Sequence, residues 1–223
     1  MYRIWKNVLF ARPLLVSRRR QELFIHSFFE IKYRLVSMVE ERKIYILLTD
    51  TGTIFSKLIR LYTKAPLNHA SIALDSELRE VYSFGRKHPL NPFYGGFVKE
   101  RVQGYLVRTE ARPTQCALYS CTVSTETYER IRLRLKQMEQ NPEQYKYNLL
   151  GLFGIIFNIH IRRENAYFCS QFVASMLQEH GMYVVDKSWV WVTPEDFRHS
   201  PSLQLVYRGD LRTKVRHKRR KYS

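Results

Sequence analysis

Two residues have the types that thiol chemistry requires, in settings that could support it. Cys169 lies in AYFCSQFVASML (166–177), where an aromatic pair gives way to a helical repeat with Phe172, Val173, Met176 and Leu177 on one face. A cysteine at or just before the first turn of a helix meets unpaired N–H groups and the positive end of the helix dipole, both of which stabilise a thiolate. A nearby imidazole completes the arrangement. Of the seven histidines, His26 sits in a basic extension, His88 and His199 in loops, His160 before a charged turn and His217 in the tail. His180 ends the cysteine helix, about three turns from Cys169. His69 differs: it leads a strand, HASIAL, just after a turn, and can be aimed at a helix N-terminus packed beside it. Taken alone, a cysteine in an apolar helix is more often inert core, and a lone strand histidine is more often structural.

The elements that must position these two residues can be read along the chain. Residues 1–42 are basic and aromatic, with Phe24, Phe28, Ile31 and Leu35 roughly on one helical face beside Arg18, Arg19 and Arg20. This segment reads as an amphipathic extension that is either loosely docked or laid on anionic lipid. A compact domain is expected over 43–209. It opens with the buried-strand pattern KIYILLTD (43–50) and a short amphipathic helix in TGTIFSKLIRLYTK. Next, NHASIALDSELREVYSFG reads as a β-hairpin around DSEL, and HPLNPFYGGF (88–97), rich in Pro, Gly and Asn, as a loop. QGYLVRTE and QCALYSCTV read as strands, and Ser124 or Thr125 opens a helix with Tyr128, Ile131, Leu135 and Met138 on one face. Asn141-Pro142 stops that helix, and YKYNLLGLFGIIFNI reads as an apolar helix on the core. After the cysteine helix and Gly181 come a Pro-started turn, VTPEDF, with Thr193 as a possible cap, and a last strand, LQLVYRG. Residues 210–223 read as a basic, unfolded tail.

The order of these parts resembles a known family. NHASIALD, an aromatic-rich second strand, and YFCSQFVASML about a hundred residues later are similar to the circularly permuted branch of the NlpC/P60 superfamily. That branch holds papain-like cysteine hydrolases and acyltransferases, including the YiiX-like and lecithin retinol acyltransferase groups. The resemblance covers roughly residues 43–208. It implies an α+β, papain-like fold: an antiparallel sheet packed against helices, with the cysteine at a helix N-terminus. It also implies that Cys169 is the nucleophile and His69 the general base. The family's third position is a polar residue on the strand after the histidine strand, often Glu or His, that orients the imidazole. In REVYSFG, Ser83 is the nearest match, with Tyr82 and Glu80 beside it. Serine carries no charge and would support an imidazolium less well. Ser83, Glu80 or another group would therefore have to serve, or the site is weakly active.

The implied chemistry is acyl transfer through a thioester, on peptide, cell-wall or lipid amides or esters. The backbone N–H of Cys169 would contribute to an oxyanion hole. Tyr167 and Phe168 could wall the site, and Tyr167, Tyr82, Arg86 and Tyr94 are the candidate substrate contacts. Arg86, Lys87 and Tyr94 could line a groove for an acidic ligand, although a solvated loop is the plainer reading of that stretch.

With 223 residues, 45% of them hydrophobic and 14% aromatic, the chain is long enough for one domain with a sizeable core. Its formal net charge of +17 suggests an anionic neighbour. A membrane surface touched by the basic termini is preferred over nucleic acid. Cys116 and Cys121, five apart on one strand, point to opposite faces and cannot readily bridge. Three cysteines without a scaffold pattern suggest a reducing compartment, and with no secretory leader or membrane-length apolar run the expected location is cytoplasmic, at most peripheral to a membrane. No metal-ligand spacing and no cofactor motif is present in the sequence, so neither is expected. The alternative function is a catalytically weak or inactive binding module that uses basic tails to hold membrane or nucleic acid.

Overall fold

The computed structural model describes residues 41–50, 65–88, 91–102, 106, 113–148 and 165–215, with side chains at all of these except 86–88 and 91–94. The chain divides into two units, Met1–Glu40 and Glu41–Ser223, and every described element belongs to the second. The extension over 1–40, the helix expected in 51–64 and most of QGYLVRTE and of the apolar run over 145–159 lie outside the described residues.

The fold is α+β. Among the described residues eight strands form a single sheet in the order β7-β6-β4-β3-β2-β1-β5-β8. They are β1 Glu41–Thr49, β2 His69–Ala73, β3 Val81–His88, β4 Asn91–Lys99, β5 Gln115–Ser124, β6 Lys146–Tyr147, β7 Ala166–Tyr167 and β8 Gln204–Asp210. Every pairing is antiparallel except β6 with β7. Among the described residues the helices α1 Thr125–Gln140, α2 Cys169–Gln178 and α3 Pro194–Arg198 accompany the sheet.

Period-two alternation explains why the sheet has two unequal buried faces. On one face Ile44, Ile46 and Leu48 of β1, Ala70 and Ile72 of β2, and Tyr82 and Phe84 of β3 share a core with the helices. The apolar faces read from the sequence supply the other half: Tyr128, Ile131, Leu135 and Met138 from α1, and Phe172, Val173, Met176 and Leu177 from α2. On the opposite face Leu47, Ala73, Val81, Cys116 and Leu118 pack with Leu78, Val102 and Leu211 in a smaller cluster. β1 is therefore covered on both sides, which is why KIYILLT reads as a nearly continuous apolar run. Cys116 and Cys121 fall in the two different clusters, both thiols are free, and they face apart across the sheet as expected.

Local chemistry sets the element ends. Ser124 accepts a hydrogen bond from the Thr127 N–H at 3.1 Å and starts α1, with Glu126 in the first turn where the dipole favours a carboxylate. Asp196 bonds both the N–H and the hydroxyl of Thr193, each at 2.7 Å, and closes a capping box on α3.

Two expectations need correction. Residues 88–97 are not a loop: β3 runs to His88, and β4 runs back from Asn91 with Gly85 opposite Gly96 and Ser83 opposite Val98. The register shifts between Arg86 and His88, so Pro92, Gly95 and Gly96 sit on an irregularly paired strand rather than in an open loop. The basic tail also starts later than residue 210. Asp210 pairs with Gln115, Leu211 is fully buried, and residues 211–215 are helical.

Gly95 has a steric reason to be glycine. A β-carbon there would lie 2.8 Å from Cβ of Tyr147 and 2.9 Å from the Gly85 carbonyl oxygen. Gly95→Ala is expected to cost roughly 1–3 kcal/mol by overpacking. An unchanged midpoint in urea unfolding would contradict this close approach.

Candidate active site

Cys169 is the first residue of α2. The first backbone hydrogen bond of that helix runs from the Phe172 N–H to the Phe168 carbonyl, so the N–H groups of Cys169, Ser170 and Gln171 have no partner within the helix. The two polar residues after the cysteine anchor this end. Ser170 donates to the Val192 carbonyl at 2.6 Å. Gln171 accepts from the Phe168 N–H at 3.3 Å and donates to the Val190 carbonyl at 2.9 Å. At the other end Gln178 donates to the Lys187 carbonyl and accepts from the Trp189 N–H. One short segment, 187–192, thus clamps both ends of the helix.

His69 is the first residue of β2, opposite Thr49 of β1, and both are buried. Its Nε2 lies 3.1 Å from Oε1 of Glu100, the residue just after β4. The imidazole is also hydrogen-bonded to the Cys169 side chain. Backbone hydrogen bonds from Ala70 and Ser170 also reach the sulfur. Cys169, His69 and Glu100 therefore form a continuous chain of contacts: helix start, strand start, strand end.

Ionisation follows from this geometry. Burial opposes the charged form of each group. For Cys169 the His69 hydrogen bond and charge, with the two backbone bonds, outweigh burial and hold the thiol below its ordinary range. Burial likewise pulls His69 down, but its bonds to Cys169 and Glu100 prevail and raise it to about 10. Burial pushes Glu100 up, and the His69 contact and charge with the Ser83 hydrogen bond bring it below the usual carboxylate range. The state favoured near neutral pH is thiolate, imidazolium and carboxylate in a row. By contrast, burial pushes Cys121 up to about 11, and burial with the Asp210 charge pushes Cys116 up to about 12.

The structure brings Cys169 and His69 together as the sequence suggested, and it changes the third position. Ser83 does not hold the imidazole. Its hydroxyl donates to Oε1 of Glu100 at 2.5 Å, the same oxygen that faces His69, so it steadies the carboxylate instead. Glu80 is elsewhere, bonded to Lys136 at 2.6 Å and to the Tyr82 hydroxyl. Tyr82 is not a substrate contact. Its side chain is fully buried, stacked on Phe97 with ring centroids 5.8 Å apart, and its hydroxyl points to Glu80 and Glu139. Alternation along β3 turns it to the helix side, away from Ser83. Tyr167 is half-buried two residues before the cysteine, between Phe84 (5.2 Å) and Trp189 (5.7 Å), where it can wall the thiol side. The side chains of Arg86, Lys87 and Tyr94 lie outside the described ones; the backbone of Arg86 pairs with Gly95 in the β3–β4 hairpin.

Sequence reasoning does not reach Glu100, because FVKER follows a stretch that reads locally as a loop; the acid stands out only once β4 is paired beside β3 of the histidine hairpin. Among the described residues no cluster of His, Cys, Asp or Glu could hold a metal ion, and no helix is long and apolar enough to cross a membrane. Comparison with family models, curated proteins and solved structures gave no match.

Cys169 is expected to react with iodoacetamide at a rate that is already level at about pH 7 and declines only as acid protonates the thiolate. Cys116 and Cys121 are expected to stay inert in the folded protein. Glu100→Gln removes the charge that favours imidazolium, so the His69 pKa falls, the Cys169 pKa rises, and the alkylation midpoint moves up by about one unit or more. Ser83→Ala is expected to move it in the same direction by less. A pH profile unmoved by Glu100→Gln would remove Glu100 from the site.

Proposed function

We propose that this chain is a thiol hydrolase or acyltransferase that cleaves an amide or ester through a thioester. The observation that carries this reading is the buried Cys169–His69–Glu100 row, with the sulfur at the N-terminus of α2. Apolar packing does not require a charged row, and assembling one inside a protein costs free energy unless each group is paired. A site that must hold a thiolate near neutral pH does require it. The order of the elements and the α+β sheet with a cysteine-bearing helix are compatible with the papain-like, permuted NlpC/P60 arrangement that the sequence resembles.

The mechanism follows from the charges. The Cys169 thiolate attacks the substrate carbonyl carbon, forming a C–S bond while the carbonyl electrons move to oxygen. The N–H of Cys169, free of any partner within the helix, faces the developing oxyanion. Collapse restores the carbonyl and breaks the bond to the leaving alcohol or amine, which takes a proton from the His69 imidazolium. Water or an acceptor then attacks the thioester, gives its proton to His69, and releases the acyl group with the thiolate regenerated. Glu100 stays ionised throughout and holds Nε2. The acyl donor is a peptide or lipid. The basic termini, with Arg18, Arg19 and Arg20 at one end and Arg216, Lys218, Arg219, Arg220 and Lys221 at the other, favour work beside an anionic membrane surface.

Activated p-nitrophenyl esters test the reading. Wild-type protein is expected to show a burst and to trap an acyl adduct on Cys169, seen as a mass increase on the peptide containing residue 169. Cys169→Ala is expected to remove both, and His69→Ala to lower kcat/KM by about 100-fold or more. Equal turnover by wild type and Cys169→Ala would sink the proposal.

A further inference from the structure

We propose that a pocket beside Glu100 is a second ligand site, one that takes an amphiphilic anion: a phosphate or carboxylate head carried on a short apolar group. The pocket encloses about 530 Å³ and is lined by Glu77, Leu78, Arg79, Lys99, Glu100, Arg101, Val102 and Val215. That volume falls in the range of small-molecule sites, roughly 300–1,000 Å³. Neither Cys169 nor His69 lines it. The inference does not depend on Cys169 being a nucleophile.

The lining sorts by burial into two chemistries. Leu78 and Val102 are buried and belong to the smaller core cluster, with Val215 packed against it. They form an apolar floor. Arg79, Lys99 and Arg101 are exposed and supply a cationic rim. Two of these cations have acidic partners: Arg79 pairs with Asp75 and Glu77, and Lys99 with Glu139 and Glu80. The acids at the pocket are engaged as well, Glu77 with Arg79 and Glu100 with His69. Among the described residues Arg101 has no ionic or hydrogen-bonding partner, so one guanidinium at the mouth is uncompensated. Its planar fork suits a phosphate or carboxylate.

The backbone beneath is held in a form that leucine does not choose by itself. Leu78 has φ +60°, in the left-handed region where non-glycine side chains are uncommon. Asp75 imposes it. The carboxylate of Asp75 accepts from the N–H groups of Arg79 and Glu80, and its carbonyl from the N–H of Leu78. This turn sets Leu78 in the floor and Arg79 on the rim. Strain of this kind collects at ligand sites, where the surrounding contacts sustain it.

Calorimetric titration of the full chain with octyl phosphate, inorganic phosphate and octanol separates head from floor. Octyl phosphate is expected to bind at least about tenfold more tightly than either of the other two. Arg101→Ala, an exposed position, is expected to weaken octyl phosphate about tenfold or more. Leu78→Asn relieves the backbone while removing the apolar floor, so it is expected to weaken octyl phosphate while leaving inorganic phosphate unchanged. Arg130→Ala, an exposed cation on α1, controls for general attraction to a basic chain and is expected to change nothing. The proposal is overturned if Arg101→Ala binds like wild type, if Arg130→Ala weakens binding as much, or if inorganic phosphate binds as tightly as octyl phosphate.

Discussion

The contact between the His69 imidazole and the Glu100 carboxylate is the constraint around which the domain is arranged. Both side chains are about nine-tenths buried, and a carboxylate cannot stay ionised there without a cation and hydrogen-bond donors. His69 supplies the charge and Ser83 the further donor. The sheet order makes this possible. β2, β3 and β4 lie side by side, so the side chains of residues 69, 83 and 100, far apart in sequence, can meet across three neighbouring strands, with the Glu100 carboxylate reaching back toward Gly85. The Glu100 N–H also bonds the Val81 carbonyl at 2.8 Å, which extends the β3–β4 ladder and fixes where the acid leaves the strand.

The other half of the site depends on the placement of a helix end. Phe172 and Val173 lock α2 to the core, while Ser170 and Gln171 are tied to carbonyls of the segment before α3. A helix held at both ends cannot slide, so the sulfur keeps its distance from β2. This accounts for the polar letters in CSQFV without giving each of them a chemical role. Serine and glutamine here are structural donors, and they leave the thiol as the only reactive group on the helix start.

The helix faces, the Ser124 cap and the DSEL hairpin were legible because each rests on local periodicity or capping, whereas the pairing of Cys169 with His69 was legible only through the family resemblance of the element order. Glu100 was not legible, because its role comes from a long-range register. The sequence between it and the histidine hairpin contains Pro89, Pro92, Gly95 and Gly96, which read locally as a break. Tertiary pairing overrode that signal: Gly95 admits close neighbours, and the irregularity near Arg86 absorbs the misfit. Tyr82, a candidate substrate contact beside Ser83 in sequence, lies in the core because alternation along β3 turns it to the helix side.

The isolation of the three cysteines has a consequence for oxidant exposure. A low-pKa thiolate is the form that peroxides convert to sulfenic acid, and rescue as an internal disulfide requires a second thiol close enough to condense with it. Cys116 lies on β5, separated from His69 by the whole width of β1, and Cys121 is sealed into the helix-side core. Neither can serve as a resolving partner. Once oxidised, Cys169 is therefore left to capture by a small thiol from outside or by a backbone nitrogen, or else to further oxidation to a dead sulfinate.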